Sequence, residues 1–115
     1  MAARFGYPAS IRLRKRADFV SLSHNGCKVN KPHFLLIYRN RTDGSRRFGI
    51  TVSRKVGNAV MRNRVKRLVR EVCRHVVDIP PADYNIIARR GAGMLGVSSV
   101  RLELENAFRQ VPRTS

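Results

Sequence analysis

The chain has 115 residues, with 24 Lys or Arg against 7 Asp or Glu and a formal charge of +17. That length suits one domain with a single modest core, and so much uncompensated charge works against compactness unless a polyanion neutralises it; nucleic acid, whose phosphate contacts release counterions, is the obvious partner. No apolar run approaches the roughly 20 residues of a membrane-spanning helix, the N-terminus lacks the apolar stretch of a signal peptide, and Cys27 and Cys73 are too few for a disulfide framework, so a soluble, cytoplasmic protein without a membrane partner is expected.

Residues 1–10 contain Gly6 and Pro8 and show little periodicity, so a flexible arm is expected there. The basic run of residues 10–18 leads into a short helix that starts at Lys15 or Asp18 and reaches about His24. Asn25-Gly26 then acts as a glycine stop. Phe19, Val20 and Leu22 cannot share one narrow stripe of this helix. Val20 is assigned mainly to the core, and Phe19 either to the core or to a groove.

Residues 27–40 read as two short strands broken at Lys31-Pro32, because proline removes a ladder donor. Phe34, Leu36 and Tyr38 alternate with His33, Leu35 and Ile37, and both sets are largely apolar. A sheet covered by helices on one side needs only one such face; the other is a candidate cleft for bases. Residues 41–45 form a turn in which Asp43-Gly44 suits a hairpin. The next strand, residues 47–54, alternates Phe48, Ile50 and Val52 with Gly49, Thr51 and Ser53. Val56-Gly57-Asn58 is turn chemistry, with Asn58 placed to cap a helix.

Helical periodicity then runs without Pro or Gly until Pro80. At roughly 100° per residue, Met61, Val65, Leu68, Val69, Val72, Cys73 and Val76 fall on one side, a core face on which Cys73 packs as a small hydrophobe. Asn63, Arg64, Lys66, Arg67, Arg70 and Arg74 fall on the other. Residues 46–77 carry ten Lys or Arg against a single Glu71. Like charges at i,i+4, such as Lys66 with Arg70, each cost a few tenths of a kcal/mol in an isolated helix. A polyanion along the stripe would reverse that sign, whereas a merely solvated face normally mixes charges.

Residues 79–83 stop the helix, Tyr84 opens a short apolar strand to Ala88, and residues 89–93 make a basic loop. Ser98 or Ser99 caps a last helix whose packing face is Val100, Leu104, Ala107, Phe108 and Val111. Residues 112–115 form a frayed tail. The expectation is one α+β domain over residues 11–111, in the order αβββαβα, with helices packed on a small sheet.

No catalytic constellation stands out. The seven acidic residues are dispersed, and Ser53 has no partnered His in its motif. A protein-only nuclease working through two metal ions would want clustered carboxylates. His24, His33 and His75 are scattered, and no C-x-x-C or H-x-x-x-H spacing suggests zinc. Chemistry, if any, is expected to reside elsewhere than in this chain.

The string R-x-G-x-x-V-S-R-K-x-G-x-A-V-x-R-N-R-x-K-R-x-x-R, residues 47–70, resembles the signature of the bacterial ribonuclease P protein subunit. The likeness extends in element order over residues 12–109. It implies an RNA-binding protein whose long basic helix joins two parallel strands by a left-handed crossover, a hand that base rates oppose. It implies that a catalytic RNA partner, using magnesium, removes the 5′ leader of precursor tRNA, while the protein has no cofactor of its own and joins one copy per RNA. Arg54, Lys55, Asn58, Arg62, Asn63, Arg64, Lys66, Arg67, Arg70 and Arg74 would contact that RNA, since guanidinium groups match phosphate bidentately. A cleft between sheet and first helix would hold the single-stranded leader, drawing on Phe19, His33, Leu35, Ile37, Phe48, and Ile50 or Thr51 according to which strand face turns outward. Ser23 stands where many members carry a second aromatic.

The main alternative is a small ribosomal-type structural RNA-binding protein, which shares the charge but does not need the Arg62-Asn63-Arg64 string. A DNA-binding protein would mix Gln, Asn and Ser into its helix to read base edges. An independent enzyme would act without added RNA.

Overall fold

The structure, a computed structural model, describes residues 12–13, 15–76 and 78–113. The expected arm at 1–10 and the last two residues of the expected tail lie outside these. Helix α1 (Arg16–Asn25) is followed by strands β1 (Cys27–Asn30), β2 (Phe34–Asn40) and β3 (Arg47–Val52), helix α2 (Ala59–His75), strand β4 (Ala82–Ala88) and helix α3 (Val97–Arg109). This is the αβββαβα order in a single α+β domain. Single turns of 3-10 helix, Arg54–Val56 and Ala92–Met94, precede α2 and α3.

The strands form one sheet in the order β1-β2-β4-β3. β4 is antiparallel to β2 and parallel to β3, so the expected hairpin between β2 and β3 does not exist. The Asp43-Gly44 turn itself is present, with Gly44 at φ 80°. It carries the chain across the end of β4 rather than back along β2. Parallel neighbours need a long connection, and α2 supplies it between β3 and β4. β4 starts at Ala82, inside the expected stop, because Ala82 and Asp83 already pair with Asn40 and Arg39.

One sheet face presents Phe34, Leu36, Tyr38, Phe48, Tyr84 and Ile86 to Val65, Val69, Val72 and Cys73 of α2 and to Val100, Leu104, Ala107 and Phe108 of α3. An aromatic triad anchors it: Phe48 stacks on Tyr84 with centroids 5.5 Å apart, and the edge of Phe108 meets Tyr84 at 5.3 Å. The opposite face carries a smaller cluster, in which Leu13, Leu22 and Ile37 pack with Phe19, Leu35 and Ile87. Both faces of β2 are therefore consumed by packing.

Three local expectations are corrected. Val20 is 46% exposed and Leu22 is the core residue of α1, because α1 lies across the sheet on that side and turns Val20 outward. Gly26 ends α1 in extended backbone, not in a left-handed cap. It is needed for close approach, since a Cβ there would sit 2.6 Å from both Ile37 Cγ2 and the Leu22 carbonyl. Finally, α3 begins at Val97 with Gly96 as its cap, two to three residues before Ser98 or Ser99.

Candidate functional site

The Asn58 side chain accepts a hydrogen bond from the Met61 backbone N–H at 3.0 Å, satisfying one orphan donor of the first turn. From that start the 17 residues of α2 bury Val65, Val69, Val72 and Cys73 and turn the basic residues outward. Burial pushes the Cys73 thiol well above its ordinary range, so it packs as an inert hydrophobe.

The basic residues then divide. The Arg64 guanidinium donates to the carbonyls of Gly93 at 3.2 Å and Leu95 at 2.9 Å. Arg62 donates back to the Gly57 carbonyl at 3.1 Å. Arg74 pairs with Glu71, its Nε buried without a partner. By contrast, the side chains of Arg54, Lys55, Lys66, Arg67 and Arg70 make no hydrogen bond or ion pair among the described residues. Asn63, Arg67 and Arg70 are exposed along the middle of α2, with Arg54, Lys55 and Asn58 exposed at its head.

A groove runs along the free edge of β3. One part, about 350 Å³, is lined by Arg12, Leu13, Phe19, Phe48, Gly49, Ile50 and Arg70. It continues into a part of about 530 Å³ lined by Arg16, Phe19, Ile50, Thr51, Val52, Lys66 and Asn85. The segment before α1 closes one end: Arg12 bridges to Phe48, and Leu13 N–H donates to the Phe48 carbonyl at 2.8 Å. Gly49 makes room for the half-buried Phe19 ring, because a Cβ there would lie 2.4 Å from it. Thr51 Oγ1 donates to Asn85 Oδ1 at 3.1 Å, fixing the amide of the only buried polar residue among the described core.

The fold thus gathers Phe19, Ile50 and Thr51 and separates the remaining expected cleft residues. Phe48 borders the groove, but its ring is locked in the aromatic triad and cannot stack on a base. Ile37 is sealed beneath α1, and Leu35 packs in the same small cluster without lining the groove. His33 sits at the α3 side, where Glu103 takes its backbone N–H at 2.8 Å and faces its Nδ1 at 2.9 Å. The alternation of β2 misled because α1 covers that part of the sheet face, leaving the groove where Thr51 and Asn85 meet the free edge of β3. Arg12, Leu13, Arg16 and Asn85 were not anticipated. The spacing of Arg16 and Phe19, one turn apart on a basic helix, was the one available signal.

Lys66 and Arg70 are both members of the α2 stripe and walls of the groove. The two surfaces expected separately are therefore continuous.

At one end of the sheet, by contrast, Arg41 and Arg47 are neutralised. Asp83 accepts from Arg47 Nε at 2.8 Å and from Arg41 NH1 at 3.2 Å, with Asp43 bonded to Arg41 and Asp18 3.7 Å from Arg47. So three of the dispersed acids converge at one end of the sheet, each facing an arginine. The hydrogen bond to Asp83 is the main reason the Arg47 guanidinium is held above its ordinary range. Arg41, bonded chiefly to Asp43, holds that carboxyl well below the usual carboxylate range. Among the described residues, no helix is long and apolar enough to cross a membrane.

Comparison with known proteins agrees with this geometry. The family model described as Ribonuclease P matches residues 7–112. The ribonuclease P protein component of Geotalea uraniireducens is 42% identical over 109 residues, covering 94% of this chain and 96% of that one. That of Desulforapulum autotrophicum is 40% identical over 112 residues, 96% of each. The Staphylococcus aureus RNase P protein superposes with a TM-score of 0.79 at 34% identity, covering 86% of this chain and 93% of that one. The Thermotoga maritima protein gives 0.80 at 31% identity, covering 88% and 97%. A basic helix read against a strand-edge groove, on a sheet of this order and with matches of this extent, leads to one conclusion: the chain belongs to the ribonuclease P protein-component family.

Proposed function

We propose that the chain is the non-catalytic protein subunit of a bacterial ribonuclease P, one copy per catalytic RNA, acting in the cytoplasm. Arg67 and Arg70, with Asn63, Lys66, Arg54 and Lys55, neutralise phosphates of the catalytic RNA. The groove beside β3 takes the single-stranded 5′ leader of precursor tRNA, whose bases meet Phe19 and Ile50 while Arg16, Lys66 and Arg70 face its phosphates. Cleavage is carried out by the RNA with its own magnesium. The protein lowers the magnesium demand by reducing phosphate repulsion, and it favours precursor over product because only the precursor has a leader.

The observation that carries this reading is the sharing of Lys66 and Arg70 between helix stripe and groove. An RNA lying on α2 would deliver its substrate strand directly alongside Phe19. Arg62, Arg64 and Arg74 contribute less than their charge suggests, since each already donates to the protein.

The test is reconstitution. Purified protein, a catalytic RNA and a precursor tRNA are combined at low magnesium, and 5′-end maturation is followed. Maturation that needs both macromolecules supports the proposal; cleavage by the protein alone overturns it. Precursors with progressively shortened leaders should bind progressively more weakly, and affinity indifferent to leader length would remove the groove from the account.

A further inference from the structure

Met94 is 81% exposed and Val60 77% exposed, the two most exposed of the large apolar side chains among the described residues. Arg64 connects them. It lies one turn after Val60 on the same face of α2, at the roughly 5–6 Å spacing of i,i+4 neighbours. Its guanidinium holds the carbonyls on either side of Met94, those of Gly93 and Leu95. Gly93 is pressed close enough to α2 that a Cβ would sit 2.7 Å from Met61 Cε. The 3-10 turn before α3 is therefore clamped to the head of the cationic helix with its methionine turned outward.

An isolated exposed apolar residue needs no explanation. Here two are held rigidly, beside the exposed Asn63 and Arg67. A phosphate backbone on those residues brings bases, which are apolar on their faces and polar on their edges. We propose that Val60 and Met94 form an apolar platform that receives an unstacked base of the catalytic RNA, with Arg64 acting as the positioning residue. The inference rests on the reading that α2 docks on that RNA.

The assay is binding of full-length protein to the catalytic RNA across a salt series. Val60→Ser with Met94→Ser should weaken binding about tenfold without altering the slope of log affinity against log salt, since no phosphate contact is lost. Arg67→Ala with Arg70→Ala should lower that slope. Unchanged affinity in the serine variant, with a lowered slope in the arginine variant, overturns the platform and leaves the docking reading standing. An unchanged slope in the arginine variant overturns the docking reading and the platform with it. Arg64→Lys keeps the charge but cannot fork to two carbonyls; it should lose several-fold in affinity at unchanged slope, and binding equal to the parent would deny Arg64 its positioning role. The chain has no Trp, so Met94→Trp reports the site directly. Its emission should be quenched by the RNA. Emission that ignores bound RNA, or that changes with protein concentration alone and so points to a second copy, overturns the assignment.

Discussion

Two of the chain's concentrations of arginine are treated in opposite ways. At the end of the sheet, Arg41 and Arg47 converge on Asp83, with Asp43 and Asp18 beside them. Along α2, Lys66, Arg67 and Arg70 follow one another without an ion pair among the described residues, and Glu71 is spent on Arg74 and His75. The first group stabilises the crossing of the chain from β2 over the end of β4 to β3. The second raises the energy of the isolated protein through like-charge repulsion and is relieved only by an outside polyanion. Density of basic residues is thus a poor guide to an interface; the withholding of counter-charge is a better one.

The contrast breaks most sharply at Asp83. Asp83→Ala should cost about 2–3 kcal/mol of stability, because two partly buried guanidinium groups lose their shared acceptor, while the salt slope of RNA binding stays unchanged. Denaturant unfolding beside the binding series separates these effects. Arg67→Ala with Arg70→Ala should do the reverse: unfolding within about 0.5 kcal/mol of the parent, and a salt slope lower by about one to two. If the arginine variant is instead the unstable one, the division between the two regions is wrong.

Gly49→Ala probes the groove between them. The added methyl overlaps the Phe19 ring, so about 1–3 kcal/mol of overpacking strain is expected, with weakened binding of leader-bearing precursor and unchanged binding of leaderless product. The smallest effect concerns Asp43. Its carboxyl is held below the ordinary 3.8, first by Arg41 and then by Ser45, so the bond's contribution is complete above that value and fades only as pH falls through the depressed one. Following its side-chain carbonyl by NMR should show no titration near pH 4. A midpoint at the ordinary value would mean that the loop is loose.

How much of this was legible in the chain varies with the range of the interaction. The core face of α2 and the Asn58 cap were readable because each depends on residues within one or two turns. The Asp43-Gly44 turn was right as local geometry and wrong as topology, since β4, far later in the chain, inserts between the strands that it seemed to join. Phe48 and Ile37 alternate as cleft residues would, but the sheet is covered on both sides at those positions. Nothing within α2 itself distinguishes Arg64 from Arg67; the carbonyls of Gly93 and Leu95 make the difference.

The amino-acid order alone settled that α2 would be amphipathic, that its outer face would be almost purely cationic, and that a polyanion was called for, because side-chain periodicity and charge are local properties. Tertiary structure decided which strands are neighbours, which arginines are occupied by the protein, and that the free edge of β3 opens beside Lys66 and Arg70. Those outcomes depend on where distant carbonyls, carboxylates and strand edges come to rest, and that is fixed only when the sheet closes around β4.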